Sequence, residues 1–337
     1  MVLSPHMALA AAMDQRYESE CKEIHDSWGK HNCLARALAR RNQLARKQIR
    51  ETYRAIYGED LIERLLKTSQ SSLSGGGGDV CEALSMWMLD PVEQDAVVAR
   101  EALDHQTEIN YMALIEMFVG RKSSTIVLIK QAYQSKFRRI LDQDIVSIEP
   151  PNPFKKILAA LVASHRAHHA DVSQHIAKCD AIRLYHTGEG KSGTIDEAVV
   201  LEILSKRSIP QLKLIFSSYK HIYGHDYTKA LKNEKYREFK DALKMVVKCM
   251  YNPPKYYAKA LYSSIKGVTR DKGALARVMM GRAEVDLDEI QKVFEEKYGM
   301  ELREAIYESE SIQSGAFRDF LVALSATPKS SSTAISS

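Results

Sequence analysis

Residues 200–226 read VLEILSKRSIPQLKLIFSSYKHIYGHD. An apolar helical stretch closes on Arg207; Tyr219 follows twelve residues later, Tyr223 sixteen later and Tyr227 twenty later. The same order recurs around Arg41 in ARALARRN, Arg121 in LIEMFVGRKS and Arg282 in LARVMMGRAE. Twelve residues beyond those arginines stand Tyr53, Tyr133 and Phe294; sixteen beyond, Tyr57, Phe137 and Tyr298; twenty beyond, Leu61, Leu141 and Leu302. The arginines are 80, 86 and 75 residues apart. Three matched offsets in four copies define an internal repeat. Rings at i and i+4 share one helix face and are expected in the core. The arginine is expected to bond carbonyls at a helix end. A period this long excludes helical-pair solenoids, whose repeats run about 33 to 47 residues, and leaves room for roughly five helices per unit. Strand signals are nearly absent, so the fold class is all-α.

The chain has 337 residues, enough for a large core or several modules, and its 45% hydrophobic and 27% charged content is that of a globular protein. A net charge of +5 suits an anionic surface without dictating one. Nucleic acid is not an expected partner, because no recognition motif accompanies the mild basicity. The cysteines, Cys21, Cys33, Cys81, Cys179 and Cys249, are scattered without C-x-x-C spacing. Reduced cytosolic thiols are therefore expected, not a disulfide framework or zinc site. No apolar run reaches the ~18 residues of a membrane span, and MALAAAM lacks the basic flank of a signal peptide. Any membrane contact is expected to be peripheral and cytosolic.

The stretch HTGEGKSGTIDE (186–197) resembles half of a phosphate-binding loop. Gly190-Lys191-Ser192 supplies the second half of G-x-x-x-x-G-K-[ST], but Tyr185 stands where the first glycine belongs. The preceding AKCDAIRLYH has helical spacing, not that of a strand. Thr194 followed three residues later by Glu197 reads as a capping box opening a helix, so this is a glycine-rich loop between helices.

With RKQIRETYRAIYGEDLIERL, MWMLDPVEQDA and GALARVMMGRAEVDLDEIQKVFEEKYGMELREAI beside the opening segment, the chain resembles the annexins, and in detail the plant ones, from about residue 16 to 325. The resemblance implies four repeats of about five helices forming a curved disc: a tail over 1–15, repeats over 16–90, 91–163, 179–253 and 254–326, a linker over 164–178 and a disordered tail over 327–337. It implies Ca2+ as cofactor and anionic phospholipid as partner, bound peripherally at the cytosolic face, with the plasma membrane the expected location. Self-association on the membrane is a further expectation.

Calcium takes six to eight oxygens at about 2.3–2.6 Å. A K-G-x-G-T loop offers backbone carbonyls, and a carboxylate from a later helix end completes the shell, leaving positions for water and lipid phosphate. In repeat three, Gly188, Lys191 and Gly193 are the implied carbonyl donors and Glu234 the carboxylate. Glu234 lies 40 residues beyond Thr194, one more than the family spacing, and TIDEAVVLEIL carries one additional residue. Repeat four keeps a degraded set, Ile265, Gly267, Thr269 and Glu310, in SIKGVTRDKG and beyond, with Ser309 at the carboxylate position. Repeat one has DSWGKHNCL, with Thr68 at the carboxylate position; repeat two has ALDHQTEIN, without glycine. Affinity falls with lost ligand charge, so weaker calcium binding than in a full annexin is expected. Trp28, Lys191, Arg270 and Lys272 are the implied lipid contacts, each basic residue contributing about 1 kcal/mol at an anionic surface. A calcium-independent scaffold or lipid binder with decayed loops is the alternative.

Two acid–base pairs, Asp95 with Arg121 and Glu116 with Arg282, match the family's central-channel positions; they read as structural pairs, with gating or conduction of cations as the alternative the resemblance implies. SHRAHH (164–169) lacks the glutamate of a zinc helix. Arg40 replaces the histidine proposed to give some plant annexins peroxidase activity. SQSSLSGGGGD (69–79) carries no assigned chemistry. No nucleophile–base pair or cofactor motif points to an enzyme.

Overall fold

The structure, a computed structural model, describes residues 5–71, 77–104, 108–163, 172–190, 195–231, 237–268 and 271–326, with side chains from residue 15 onward except at 237. The 164–169 histidines, residues 72–76 of the glycine-rich insert and the C-terminal residues 327–337 lie outside it. Twenty helices occupy the described residues, in four sets of five. The first set is α1 (Pro5–Asp26), α2 (His31–Ala39), α3 (Gln43–Tyr57), α4 (Leu61–Ser71) and α5 (Gly78–Trp87). The second is α6 (Pro91–Ala102), α7 (Tyr111–Val119), α8 (Ser123–Phe137), α9 (Leu141–Val146) and α10 (Pro153–Val162). The third is α11 (Gln174–His186), α12 (Glu197–Lys206), α13 (Ile209–Tyr223), α14 (Tyr227–Ala230) and α15 (Arg237–Tyr251). The fourth is α16 (Pro253–Lys266), α17 (Lys272–Arg282), α18 (Leu287–Tyr298), α19 (Leu302–Tyr307) and α20 (Ala316–Ser325). They pack into two compact units, residues 1–94 with 257–337, and residues 95–256. No described helix is long and apolar enough to cross a membrane.

The repeat offsets have a direct packing meaning. Tyr53, Tyr133, Tyr219 and Phe294 are fully buried on the third helix of each set. Each meets the ring one turn later, Tyr57, Phe137, Tyr223 or Tyr298, at centroid separations of 4.7, 5.2, 4.9 and 5.0 Å. Such pairs contribute roughly 0.5–1.5 kcal/mol beyond their buried area. The second ring also stacks on the first helix of its set in three repeats: Tyr57 on His25, Tyr223 on Tyr185 and Tyr298 on Tyr262, at 4.0, 4.0 and 3.8 Å. Leu61, Leu141, Tyr227 and Leu302 are buried at the start of the fourth helices.

Three of the anchoring arginines meet carboxylates where carbonyls were expected. Arg41, Arg121 and Arg207 pair with carboxylates of the first helix in their set, Glu20 at 3.3 Å, Asp95 at 2.6 Å and Asp180 at 2.6 Å. A carboxylate offers a guanidinium a charge-assisted bond, stronger than a neutral carbonyl does. In the fourth set Tyr257 takes the place of the acid, 4.6 Å from the guanidinium of Arg282. There Arg282 Nε donates instead to Asp286 Oδ1 at 2.7 Å.

All four third helices end in a left-handed residue whose N–H caps a carbonyl four residues back. Three are glycines, Gly58, Gly224 and Gly299, at φ 69°, 76° and 70°; the fourth is Arg138, at φ 56°.

The candidate calcium loops

In repeat three the loop leaves α11 with Thr187 N–H on Arg183 O (2.9 Å) and both Gly188 and Gly190 N–H on Tyr185 O (3.1 and 2.9 Å). A trans peptide points its N–H and C=O in opposite directions. The Glu189 carbonyl therefore faces away from the end of α11. Gly188 is buried, and a Cβ there would come within 2.8 Å of Leu184 O, so close backbone approach requires glycine. A Cβ at exposed Gly190 would meet the Tyr185 ring at 2.7 Å. Lys191, Gly193, Thr194 and Glu234 lie outside the described residues.

The Glu189 side chain turns the other way and pins the loop. Its carboxylate accepts a short hydrogen bond from Tyr219 OH and faces His225 Nε2 at 3.0 and 3.1 Å, while His225 Nδ1 sits 2.8 Å from Tyr223 O. Burial, reinforced by Glu189, pushes the Tyr219 phenol well above its ordinary range, so it stays a donor at physiological pH. The sequence reading missed Glu189 and His225. The available signal was Tyr219 itself, a buried ring with a hydroxyl that must find an acceptor.

The helix after this loop begins later than the capping-box reading requires. The α12 N-cap is Asp196, whose carboxylate accepts from Ala198 N (3.1 Å) and Val199 N (3.3 Å). Glu197 is consequently the first helical residue, too early to reach back to a cap, and it pairs with Lys156 at 2.8 Å.

In repeat four the two loops meet through neutral oxygens. Ser309 is buried at 3% exposure, with Oγ 3.5 Å from Ile265 O and 2.9 Å from Ser311 Oγ. Gly267 N–H donates to Ser263 O at 2.9 Å, turning the Lys266 carbonyl away, and a Cβ on Gly267 would lie 2.2 Å from Ser263 O. Glu308 faces Lys266 Nζ at 3.4 Å, and Glu310 is exposed. Val268, at the loop tip, is fully exposed. Thr269 and Arg270 lie outside the described residues; Lys272 Nζ is 3.7 Å from Asp79. The Ile265 and Ser309 oxygens suit a hard cation in type but bring no charge of their own.

In repeat one a cation packs against the loop's tryptophan. The Arg64 guanidinium lies 4.1 Å over the half-buried Trp28 ring, donates to Tyr53 OH at 2.7 Å and makes a short bond to Glu59. Thr68 Oγ1 returns to Arg64 O at 2.9 Å. A guanidinium against this loop opposes a dication. In repeat two the glycine-free loop ends at Asn110, which caps α7 through Ala113 N at 3.0 Å.

Asp95 and Arg121, one of the expected channel pairs, meet. Arg121 Nη2 donates to Asp95 Oδ1 at 2.9 Å, and burial outweighs this partner, pushing the Asp95 carboxyl up to about 6. Glu116 accepts from Tyr256 OH at 3.0 Å, and Arg282 Nε donates to Asp286 Oδ1 at 2.7 Å.

The family model described as Annexin matches residues 180–246 and 256–324. Annexin A13 of Homo sapiens is 36% identical over 85% of this chain and 87% of its own. The chain is an annexin. A plant relative, Annexin-like protein RJ4 of Fragaria ananassa, is 32% identical over 88% of this chain and 90% of its own. Among solved structures, annexin III superimposes with a TM-score of 0.81 at 32% identity, covering 92% of this chain and 93% of that one. Annexins are calcium-dependent phospholipid-binding proteins that associate peripherally with membranes, and this annexin shares that function and the all-α repeat fold.

Proposed function

We propose that this annexin attaches to anionic phospholipid through calcium held in the first loop of repeat three, with repeat four as a weaker second contact. The observation carrying the reading is the outward Glu189 carbonyl, in a loop pinned from within by the Glu189 carboxylate on Tyr219 and His225. A preset carbonyl lowers the ordering cost of binding. Gly188, Lys191 and Gly193 supply the other backbone oxygens and Glu234 the carboxylate. Ile265, Gly267, Thr269 and Glu310 form the weaker set, in which Ser309 stands at the family's carboxylate position. Lys191, Arg270 and Lys272 add attraction to acidic headgroups, and the fully exposed Val268 offers an apolar tip. Asp95 with Arg121 is a structural pair. The protein acts as a binder, not an enzyme, and self-associates on the inner face of the plasma membrane.

Co-sedimentation with phosphatidylserine vesicles tests this. Pelleting is expected with calcium, not with chelator, and is lost in Glu234→Gln. A second reading, calcium-independent lipid binding, draws on the Arg64 guanidinium packed on Trp28 of the repeat-one loop; equal pelleting in chelator would establish it in place of the first.

A further inference from the structure

The four repeats serve as internal controls for one another. Five residues beyond the anchoring arginine, repeats two to four carry Ile126, Leu212 and Leu287, each buried in the core. Repeat one carries Arg46, equally buried at 3% exposure. Six, nine and thirteen residues beyond the anchor, repeat one adds Lys47, Arg50 and Arg54. The matching triplets are Val127, Lys130 and Gln134 in repeat two, Lys213, Phe216 and Lys220 in repeat three, and Asp288, Gln291 and Glu295 in repeat four. Only repeat one gathers four cations along this face of its third helix.

That face lines a cleft of about 270 Å³ between α3 and the start of α6. Arg46 lies 3.7 Å over the Trp87 ring and donates through Nη1 to Arg41 O (2.8 Å) and through Nη2 to Glu284 (2.9 Å). Its buried Nε has no partner. An unsatisfied buried donor costs about 1–3 kcal/mol, more on a charged group, and burial indeed pulls this guanidinium below its ordinary range, against the pull of Glu284. Leucine serves the packing role in two other repeats, so packing alone does not account for arginine here.

The other cations also retain donor capacity. Arg54 is exposed and has no ion-pair partner among the described residues. Lys47 is 4.0 Å from Glu51, and Arg50 is shared at 3.4 and 3.5 Å between Asp60 and Glu93. Of the facing acids, Asp60 accepts from Ile62 N at 2.8 Å, and Asp90 from Val92 N at 3.1 Å and from the Gln43 side-chain amide at 3.2 Å, while Glu51 and Glu93 face Lys47 and Arg50. Guanidinium forks match the oxygens of phosphate. The volume is below the ~300 Å³ at which drug-sized ligand pockets begin.

We propose that this cleft binds a phosphate or pyrophosphate group, without calcium, through Arg46, Lys47, Arg50 and Arg54. Nothing in the site draws on the calcium loops. The group could belong to a soluble phosphate compound or to a phosphorylated lipid headgroup, and two assays separate these sources. Calorimetric titration of the full chain with inorganic pyrophosphate, in chelator and about 0.1 M salt, is expected to show one saturable site weakened by added salt. Arg54→Ala, at an exposed position, and Arg46→Leu, the residue of repeats three and four, should each weaken it about tenfold or more. Lys220→Ala, the repeat-three counterpart of Arg54, should not. The second assay pellets vesicles containing phosphatidylinositol bisphosphate in chelator. Arg54-dependent pelleting without pyrophosphate binding assigns the group to lipid and sustains the site. Absence of both activities, or binding unchanged in both variants, overturns it.

Discussion

Replacing Ser309 with aspartate would restore a charge where repeat four has lost one, and the outcome can be worked from the geometry. Ser309 Oγ sits 3.5 Å from Ile265 O in a pocket where the residue is 3% exposed. Without calcium, an aspartate there faces a carbonyl oxygen and has Glu308 and Glu310 as neighbours. Poorly satisfied burial of that kind costs about 1–3 kcal/mol. With calcium, a carboxylate oxygen at about 2.4 Å from a dication gains roughly 3.5 kcal/mol even at the dielectric constant of water. Stripping water from both ions offsets part of this. A net gain of about 1.5–3 kcal/mol corresponds to roughly ten- to hundredfold in calcium affinity. Ser309→Asp should therefore lower the melting temperature in chelator, recover it in calcium, and shift the calcium midpoint of vesicle co-sedimentation down by about tenfold or more. Ser309→Asn, similar in shape but uncharged, should leave that midpoint within about twofold. A folded Ser309→Asp protein with the wild-type midpoint would refute the assignment of this loop pair to calcium.

Two further predictions concern the scaffold. Arg138→Gly should stabilise the protein by about 0.5–1 kcal/mol, since a left-handed non-glycine residue costs about 1–2 kcal/mol and the greater freedom of unfolded glycine offsets part of that. Gly224→Ala should destabilise it by a similar amount, because a Cβ there meets nothing within 4 Å and only backbone conformation is at stake; calorimetry showing Arg138→Gly to be less stable would contradict this. Asp95, with its carboxyl raised to about 6, binds a proton more tightly folded than unfolded, where carboxylates titrate near 3.9. Its contribution to stability therefore falls as pH rises from about 4 to 6, by roughly 3 kcal/mol in all. Urea midpoints of Asp95→Asn should lack that fall, and parallel pH profiles for the two proteins would show the burial argument to be mistaken.

The arginine–aromatic offsets carried the fold because they are local: rings one turn apart on a helix must share a face, whatever surrounds them. Twenty helices in four sets follow from that rule applied four times. Gly188, Gly190 and Gly267 were also legible as loop glycines, although what demands them, carbonyls and a ring within van der Waals range, is set by the preceding helix. From spacing alone the arginines' partners were not legible, since Glu20, Asp95 and Asp180 stand 21, 26 and 27 residues before them with no common offset; the pairing of Asp95 with Arg121 came only from the family resemblance. The inward turn of Glu189 was equally hidden, because His225 and Tyr219 reach it from 36 and 30 residues away. Arg64 over Trp28 and the unsatisfied Nε of Arg46 likewise emerge only once helices have packed. Periodicity along the chain dictates which faces are buried. Which charges those faces bring together depends on where loops deliver them, and only the tertiary structure decides that.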